Sequence, residues 1–305
     1  MMGAFGHDYS SLVETLAPLR GKNPVHIFNP GNAGDALIAA NTYSFFEAIG
    51  LKVEHGYYRR NYHGRHIIFG GGGNLVPHYV EAKSFIGRHR ESLKSFVLLP
   101  HSVRGHEDFL KTLDDRFTFF VREQKSYDHI LATAPNLRLR KCHDMAFFAD
   151  PRSLRQSPVA GLLRDLRAPR RLRFDLHQFR AWKQALDDRI GQLGTYPPHG
   201  AILNAFRHDV ESTGGPVPEG NIDISELFMH MRDHGPFMSR QIVDAMVDLV
   251  SRYETIRTDR LHVTVLAALM GKDVEMRDNS YGKLGAIHAT SIRDFGFDNV
   301  RFADP

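Results

Sequence analysis

The chain has 305 residues, of which 42% are hydrophobic, and a formal net charge of +4 with histidine neutral. That length suits two domains of ordinary size, the apolar fraction excludes a disordered chain, and so small a charge does not mark a nucleic-acid binder. The single cysteine, Cys142, cannot form an internal disulfide, the N-terminal stretch lacks the regions of a signal peptide, and no apolar run reaches the roughly 18–20 residues of a membrane span, so a cytoplasmic protein is expected.

Residues 1–155 alternate strand-like and helix-like segments. "VHIFNP" reads as a strand, "GNAGD" breaks it, and "ALIAANTYSFFEAIG" is helical in pattern with Gly50 as a C-terminal cap. The strands "LKVEHG", "RHIIFGG", "SFVLLPHS", "FTFFVRE" and "LRLRKCHD" follow, with helices between them. Short apolar strands separated by helices imply a mostly parallel sheet covered on both faces. Residues 156–198 break this rhythm and are expected to be a crossover, with one amphipathic stretch, "FRAWKQALDDRIGQL". Their arginines (Arg164, Arg167, Arg170, Arg171 and Arg173) fit a solvated linker, or a patch facing anionic lipid head groups or a pyrophosphate-linked substrate. A second α/β region over 199–305 holds the strand "AILNAF", a helix near 239–252, the strand "YETIRT", a helix from Asp259, the strand "DVEMRDN" and a short final helix. His230 and His234 are four residues apart, without an evident third ligand, so no metal site is expected.

Ligands of open α/β sheets bind at the carboxyl ends of the strands, and four strand-to-helix turns are candidates. The turn Asn29–Asp35 offers Gly31, Asn32 and Gly34 for close backbone approach at a helix N-terminus, with Asp35 either a helix cap or a working carboxylate. In "IIFGGGGNLV", the glycines at 70–73 suit a loop lying against a ligand or another chain segment, and Gly71, Gly72, Gly73 and Asn74 are its candidate contacts. In "LNAFRHDVES", Arg207 and Asp209 follow a strand, as a surface ion pair or as an anion site. The fourth turn is "TDRLH". Thr258 reads as an N-cap, with Asp259, Arg260, Leu261 and His262 in the first helical turn. Free N–H groups, the helix dipole and the guanidinium of Arg260 favour an anion there. The dipole disfavours a protonated imidazole at His262 until a phosphate dianion binds, which would make His262 a proton donor. The plainer reading is a buried core histidine beside a surface arginine.

These stretches in this order, "GNAGDALI", "IIFGGGGNL", "VREQKSYDHI", "AFRHDVE" and "TDRLHVTVLAALMGKDVEMRDNSYGKL", resemble the polysaccharide pyruvyl transferase family. The last is the most specific. Val263 stands where that family often has glycine, and residues 151–200 match nothing recognisable. The resemblance implies two Rossmann-like domains with mostly parallel sheets, in a GT-B-like arrangement with an interdomain cleft. It implies phosphoenolpyruvate as donor, a saccharide acceptor (free or lipid-linked, at the inner membrane surface), a pyruvate ketal as product, and no metal or other cofactor. His262 is then the expected general acid and Asp35 the residue that orients or deprotonates an acceptor hydroxyl. Arg260 and Arg207 are the expected donor ligands, with Asn279, Ser280, Tyr281 and Lys283 of the "DNSYGK" segment also at the site. The competing readings are a nucleotide-sugar glycosyltransferase of the same architecture and a non-catalytic subunit of polysaccharide synthesis.

Overall fold

The computed structural model describes residues 9–29, 31–148, 150–154, 180, 181, 184, 188, 201–225, 235–280 and 282–303. The described residues fall into two compact units. One comprises 9–29 and 41–148, and the other 31–40 together with those from 150 onward.

The first unit is built on seven parallel strands: β1 (Val25–Ile27), β2 (Glu54–Gly56), β3 (His66–Phe69), β4 (Gly72–Leu75), β5 (Ser95–Val103), β6 (Phe117–Val121) and β7 (Arg138–Lys141). Their order is β2-β1-β3-β5-β6-β7, with β4 also on β5. Helices α1 (Ser10–Leu16), α3 (Glu81–His89), α4 (Glu107–Leu110) and α5 (Gln124–Thr133) accompany them, and α2 (Ala33–Ala48) begins in the second unit and ends in the first. Burial on both faces explains why the central strands are apolar throughout. Ile67, Phe69, Phe96, Leu98, Phe117 and Phe119 form the core with Phe85, Ile86 and Ile130 of the helices. As expected, α2 ends at a left-handed Gly50 (φ 66°). Gly50 N–H bonds Glu47 O at 3.1 Å and Leu51 N–H bonds Phe46 O at 2.9 Å, which closes the last turn.

The glycine run departs from expectation. Only Gly70 and Gly71 form the loop after β3, while Gly72 and Gly73 open β4. The cause is β5, which is longer than its neighbour. Once β3 has paired as far as Phe69 with Leu98, the ladder continues with Gly72 opposite His101 and Leu75 opposite Val103. The glycines remain necessary. A Cβ at Gly70 would lie 2.8 Å from the backbone nitrogen of Asn29, and Gly72 has φ 141°.

The second unit has four parallel strands, β8 (Ile202–Ala205), β9 (Thr255–Thr258), β10 (Asp273–Met276) and β11 (Val300–Phe302), in the order β11-β10-β9-β8. Its helices include α6 (Pro236–Ser251), α7 (Leu261–Leu269) and α8 (Lys283–Ile287). Helix α7 is apolar nearly all round because it is buried nearly all round. The expected crossover at 156–198 lies outside the described residues apart from 180, 181, 184 and 188, and so do the arginine cluster, His230 and His234. Among the described residues, no helix is long and apolar enough to cross a membrane, and no group of three or more His, Cys, Asp or Glu side chains could hold a metal ion.

Candidate active site

Helix α2 starts with a reciprocal cap. Asn32 Oδ1 accepts the N–H of Gly34 at 2.8 Å, and Asp35 Oδ2 accepts the N–H of Asn32 at 3.0 Å. The same carboxylate fills the space beside Gly31, where a Cβ would meet Asp35 Oδ2 at 1.8 Å. Asp35 is therefore a helix-capping residue, and Gly31 is glycine to make room for it. Ala33 N–H reaches Ser225 O at 3.3 Å. Gly34 has another neighbour. A Cβ there would lie 2.4 Å from His262 Nδ1 and 2.9 Å from its Cγ, so the imidazole rests on the bare backbone of α2's first turn.

His262 reaches that position from the second residue of α7, where it is half-buried. The turn before it differs from expectation. Thr258 is not the N-cap, because it is still paired in β9 with Ala205 on one side and Met276 on the other. Its hydroxyl donates to Ala205 O at 2.7 Å and accepts the N–H of Arg260 at 2.9 Å. The helix begins at Leu261, with Arg260 as an extended N-cap. Asp259 and Arg260 thus lie in the strand-to-helix turn, Leu261 is buried at the helix start, and only His262 projects from the first helical turn.

Arg207 and Arg260, expected as open anion forks, are buried and face carboxylates. Arg260 Nε donates to Asp223 Oδ1 at 3.0 Å, Nη2 to Asp223 Oδ2, and Nη1 to Asp209 Oδ2 at 2.6 Å. Arg207 Nε and Nη2 donate to Asp209 Oδ1 and Oδ2 at 2.8 and 3.1 Å, and Nη1 pairs with Glu211 Oε2 at 2.7 Å. Every nitrogen of both guanidinium groups faces a carboxylate. Burial pushes the Asp209 carboxyl up, but the Arg207 hydrogen bond and the charges of both arginines outweigh it and hold the group at about 2. Asp259, whose Oδ1 accepts the Arg207 N–H at 2.8 Å, is pushed above the ordinary carboxylate range by burial, against that bond and the two arginines.

The "DNSYGK" segment joins this network through Glu211. Asn279 Nδ2 donates to Glu211 Oε2 at 3.3 Å and Ser280 N–H to Glu211 O at 3.1 Å. Lys283 opens α8, with its N–H on Asn279 Oδ1 at 2.9 Å, while Tyr281 lies outside the described residues. Asn279, Ser280, Lys283, Arg207, Arg260, Leu261, His262 and the start of α2 therefore all belong to the second unit. Gly71, Gly72, Gly73 and Asn74 belong to the first, where Asn74 Nδ2 donates to Asn29 Oδ1 and the Asn74 N–H meets His101 Nε2 at 3.1 Å. Sequence reasoning missed Asp223 and Glu211 altogether and took Asp209 for one half of a simple pair. The only available signal was four acidic residues (Asp209, Glu211, Asp223 and Asp259) near two arginines that end up buried.

In an open parallel α/β unit, polar residues gathered at the carboxyl ends of the strands and at two helix starts mark the place where small-molecule ligands bind. Comparison with known proteins narrows this. The model of the family "Polysaccharide pyruvyl transferase" matches residues 32–274. The chain belongs to the polysaccharide pyruvyl transferase family and is a transferase enzyme. It is 28% identical over 270 residues to the Bacillus subtilis (strain 168) protein named "Putative pyruvyl transferase EpsO", covering 83% of this chain and 80% of the relative. It also superposes with a TM-score of 0.73 on the crystal structure of a functionally uncharacterised protein from Klebsiella pneumoniae subsp. pneumoniae NTUH-K2044, at 27% identity and over 100% of both chains.

Proposed function

We propose that the enzyme moves pyruvate from phosphoenolpyruvate to a sugar of a polysaccharide or its lipid-linked precursor in the cytoplasm, forming a pyruvate ketal and releasing phosphate. The observation that carries this reading is the contact of His262 with Gly34 in the unit that also holds Arg207 and Arg260, all inside the matched family region. Phosphoenolpyruvate carries a carboxylate and a phosphate, and planar guanidinium forks suit both. His262, set by the α2 backbone, delivers a proton to the terminal methylene carbon. The positive charge that develops on the neighbouring carbon is captured by one sugar hydroxyl, which loses its proton. Phosphate then leaves, and a second hydroxyl closes the ketal as its proton passes to the departing phosphate. In this reading Asn74 of the first unit serves the acceptor and Arg260 of the second the donor. Asp35 orients an acceptor hydroxyl with whatever capacity its capping role leaves.

The test is phosphate release from phosphoenolpyruvate across a panel of lipid-linked and aryl glycosides, with uridine and guanosine diphosphates as binding controls. Phosphate release that depends on an acceptor supports the reading. Stabilisation by a nucleoside diphosphate, with no response to phosphoenolpyruvate, overturns it in favour of glycosyl transfer.

A further inference from the structure

The arginine network poses a problem of charge. Two guanidinium groups sit among four carboxylates, those of Asp209, Glu211, Asp223 and Asp259. A phosphate-bearing donor adds further negative charge, and repulsion between charges grows as water is excluded. Such a donor reaches the guanidinium nitrogens only if a carboxylate gives up its place.

The four carboxylates are not equivalent. The Asp223 side chain is 4% exposed, holds Arg260 through two nitrogens and accepts the His208 N–H at 3.2 Å. Glu211 is 5% exposed and is tied to Arg207 and Asn279. Asp259 is buried and fixed on the backbone of Arg207. Asp209 is 24% exposed and is the one that bridges both arginines. Its further partner is the Glu211 N–H at 3.0 Å.

We propose that Asp209 is a built-in counter-ion, and that the donor's phosphate or carboxylate replaces it on Arg207 and Arg260. Its carboxylate keeps the two guanidinium groups facing one point, and it moves toward solvent as an incoming anion takes over the same N–H groups. Asp209 is thus a positioning residue that sets donor affinity, and it makes binding an exchange of one anion for another. The depressed titration of its carboxyl agrees with this, because Asp209 stays charged near neutral pH and cannot yield by taking up a proton. The identity of the donor rests on the pyruvyl-transfer reading, whereas the exchange concerns any compact anion.

Wild type, Asp209→Asn, Asp209→Ser and Asp223→Asn are titrated calorimetrically with inorganic phosphate and with phosphoenolpyruvate at low ionic strength, and their melting temperatures are recorded. Removing the competing charge should tighten phosphate binding about tenfold in both Asp209 variants, the scale of one charge-assisted hydrogen bond. Asp223→Asn should show no gain and a lower melting temperature. Folded Asp209 variants that bind phosphate no better than wild type overturn the exchange, and so does failure of both to fold, since a group needed for folding is not displaceable. Tighter phosphate binding without any response to phosphoenolpyruvate keeps the exchange and removes the pyruvyl donor. Phosphoenolpyruvate binding without a gain does the reverse.

Discussion

The imidazole of His262 lies against the α-carbon of Gly34, so closely that a methyl group on Gly34 would sit 2.4 Å from Nδ1. Helix α2 gives up side-chain packing at its second residue to set the histidine of another helix. Gly34→Ala should therefore displace the ring while sparing the fold, because alanine is the better helix former by up to about 1 kcal/mol. Turnover is expected to fall at least tenfold with melting temperature within a few degrees of wild type. Wild-type turnover in a folded Gly34→Ala protein would show that the ring's position is not used.

His262→Gln should bind phosphoenolpyruvate and lose turnover by roughly 10²–10⁴-fold, the usual contribution of a positioned general acid. Calorimetry and phosphate release on one preparation separate this from a packing role, which would lower the melting temperature and leave turnover near normal.

Asp35 separates capping from chemistry. Asp35→Ala removes the acceptor for the Asn32 N–H and should cost about 0.5–2 kcal/mol in urea unfolding. Asp35→Asn keeps an acceptor oxygen and should recover most of that loss. If its turnover is nonetheless far below wild type, the carboxylate also acts on the acceptor. If turnover recovers with stability, Asp35 is a cap alone.

Arg260→Ala is a poor probe of donor binding by itself. It leaves the buried Asp223 carboxylate without its guanidinium, and breaking a buried pair in this way costs roughly 3–5 kcal/mol. We expect a large drop in the unfolding midpoint, and less of one for the double variant Arg260→Met with Asp223→Leu, which removes both charges.

In the first unit, His26 of β1 is fully buried with neither ring nitrogen hydrogen-bonded, edge-on to Tyr43 and Phe46. Burial, helped by the charge of His55, lowers it to about 3 from 6.5. Between those values the unfolded chain takes up a proton that the folded chain refuses. Its contribution is therefore full above pH 6.5 and falls with acidification, by at most about 1.4 kcal/mol per pH unit. Urea unfolding at pH 7.5 and pH 5 should show this loss. His26→Leu should shrink it, and an unchanged pH slope in that variant would assign the loss to other groups.

Much of the fold is legible in the chain because it is local. "HIIF", "FVLL" and "FTFF" are apolar strands buried on both faces, and Gly50 marks the end of α2 as it should. Strand β4 was not legible, since two glycines and an asparagine have no strand propensity and are paired only because β5 outruns β3. At the site, the histidine and two arginines stand out in their turns. Their environment does not: Asp223 meets Arg260 across 37 residues of chain, and nothing in "NIDIS" announces a guanidinium partner.

The second unit is made from discontinuous sequence, since residues 31–40 group with it although more than a hundred residues of the first unit follow them. This sets an order of assembly on the ribosome. Gly34 emerges 228 residues before His262, and at about 5–20 residues per second its partner follows it by roughly 10–50 s. During that interval the start of α2 has no histidine to hold, and strands β1 to β7 can form without it. The contact between α2 and α7 therefore forms only after every strand of the first sheet has been synthesised, and a nascent protein truncated before α7 carries Gly34 without the imidazole that rests on it.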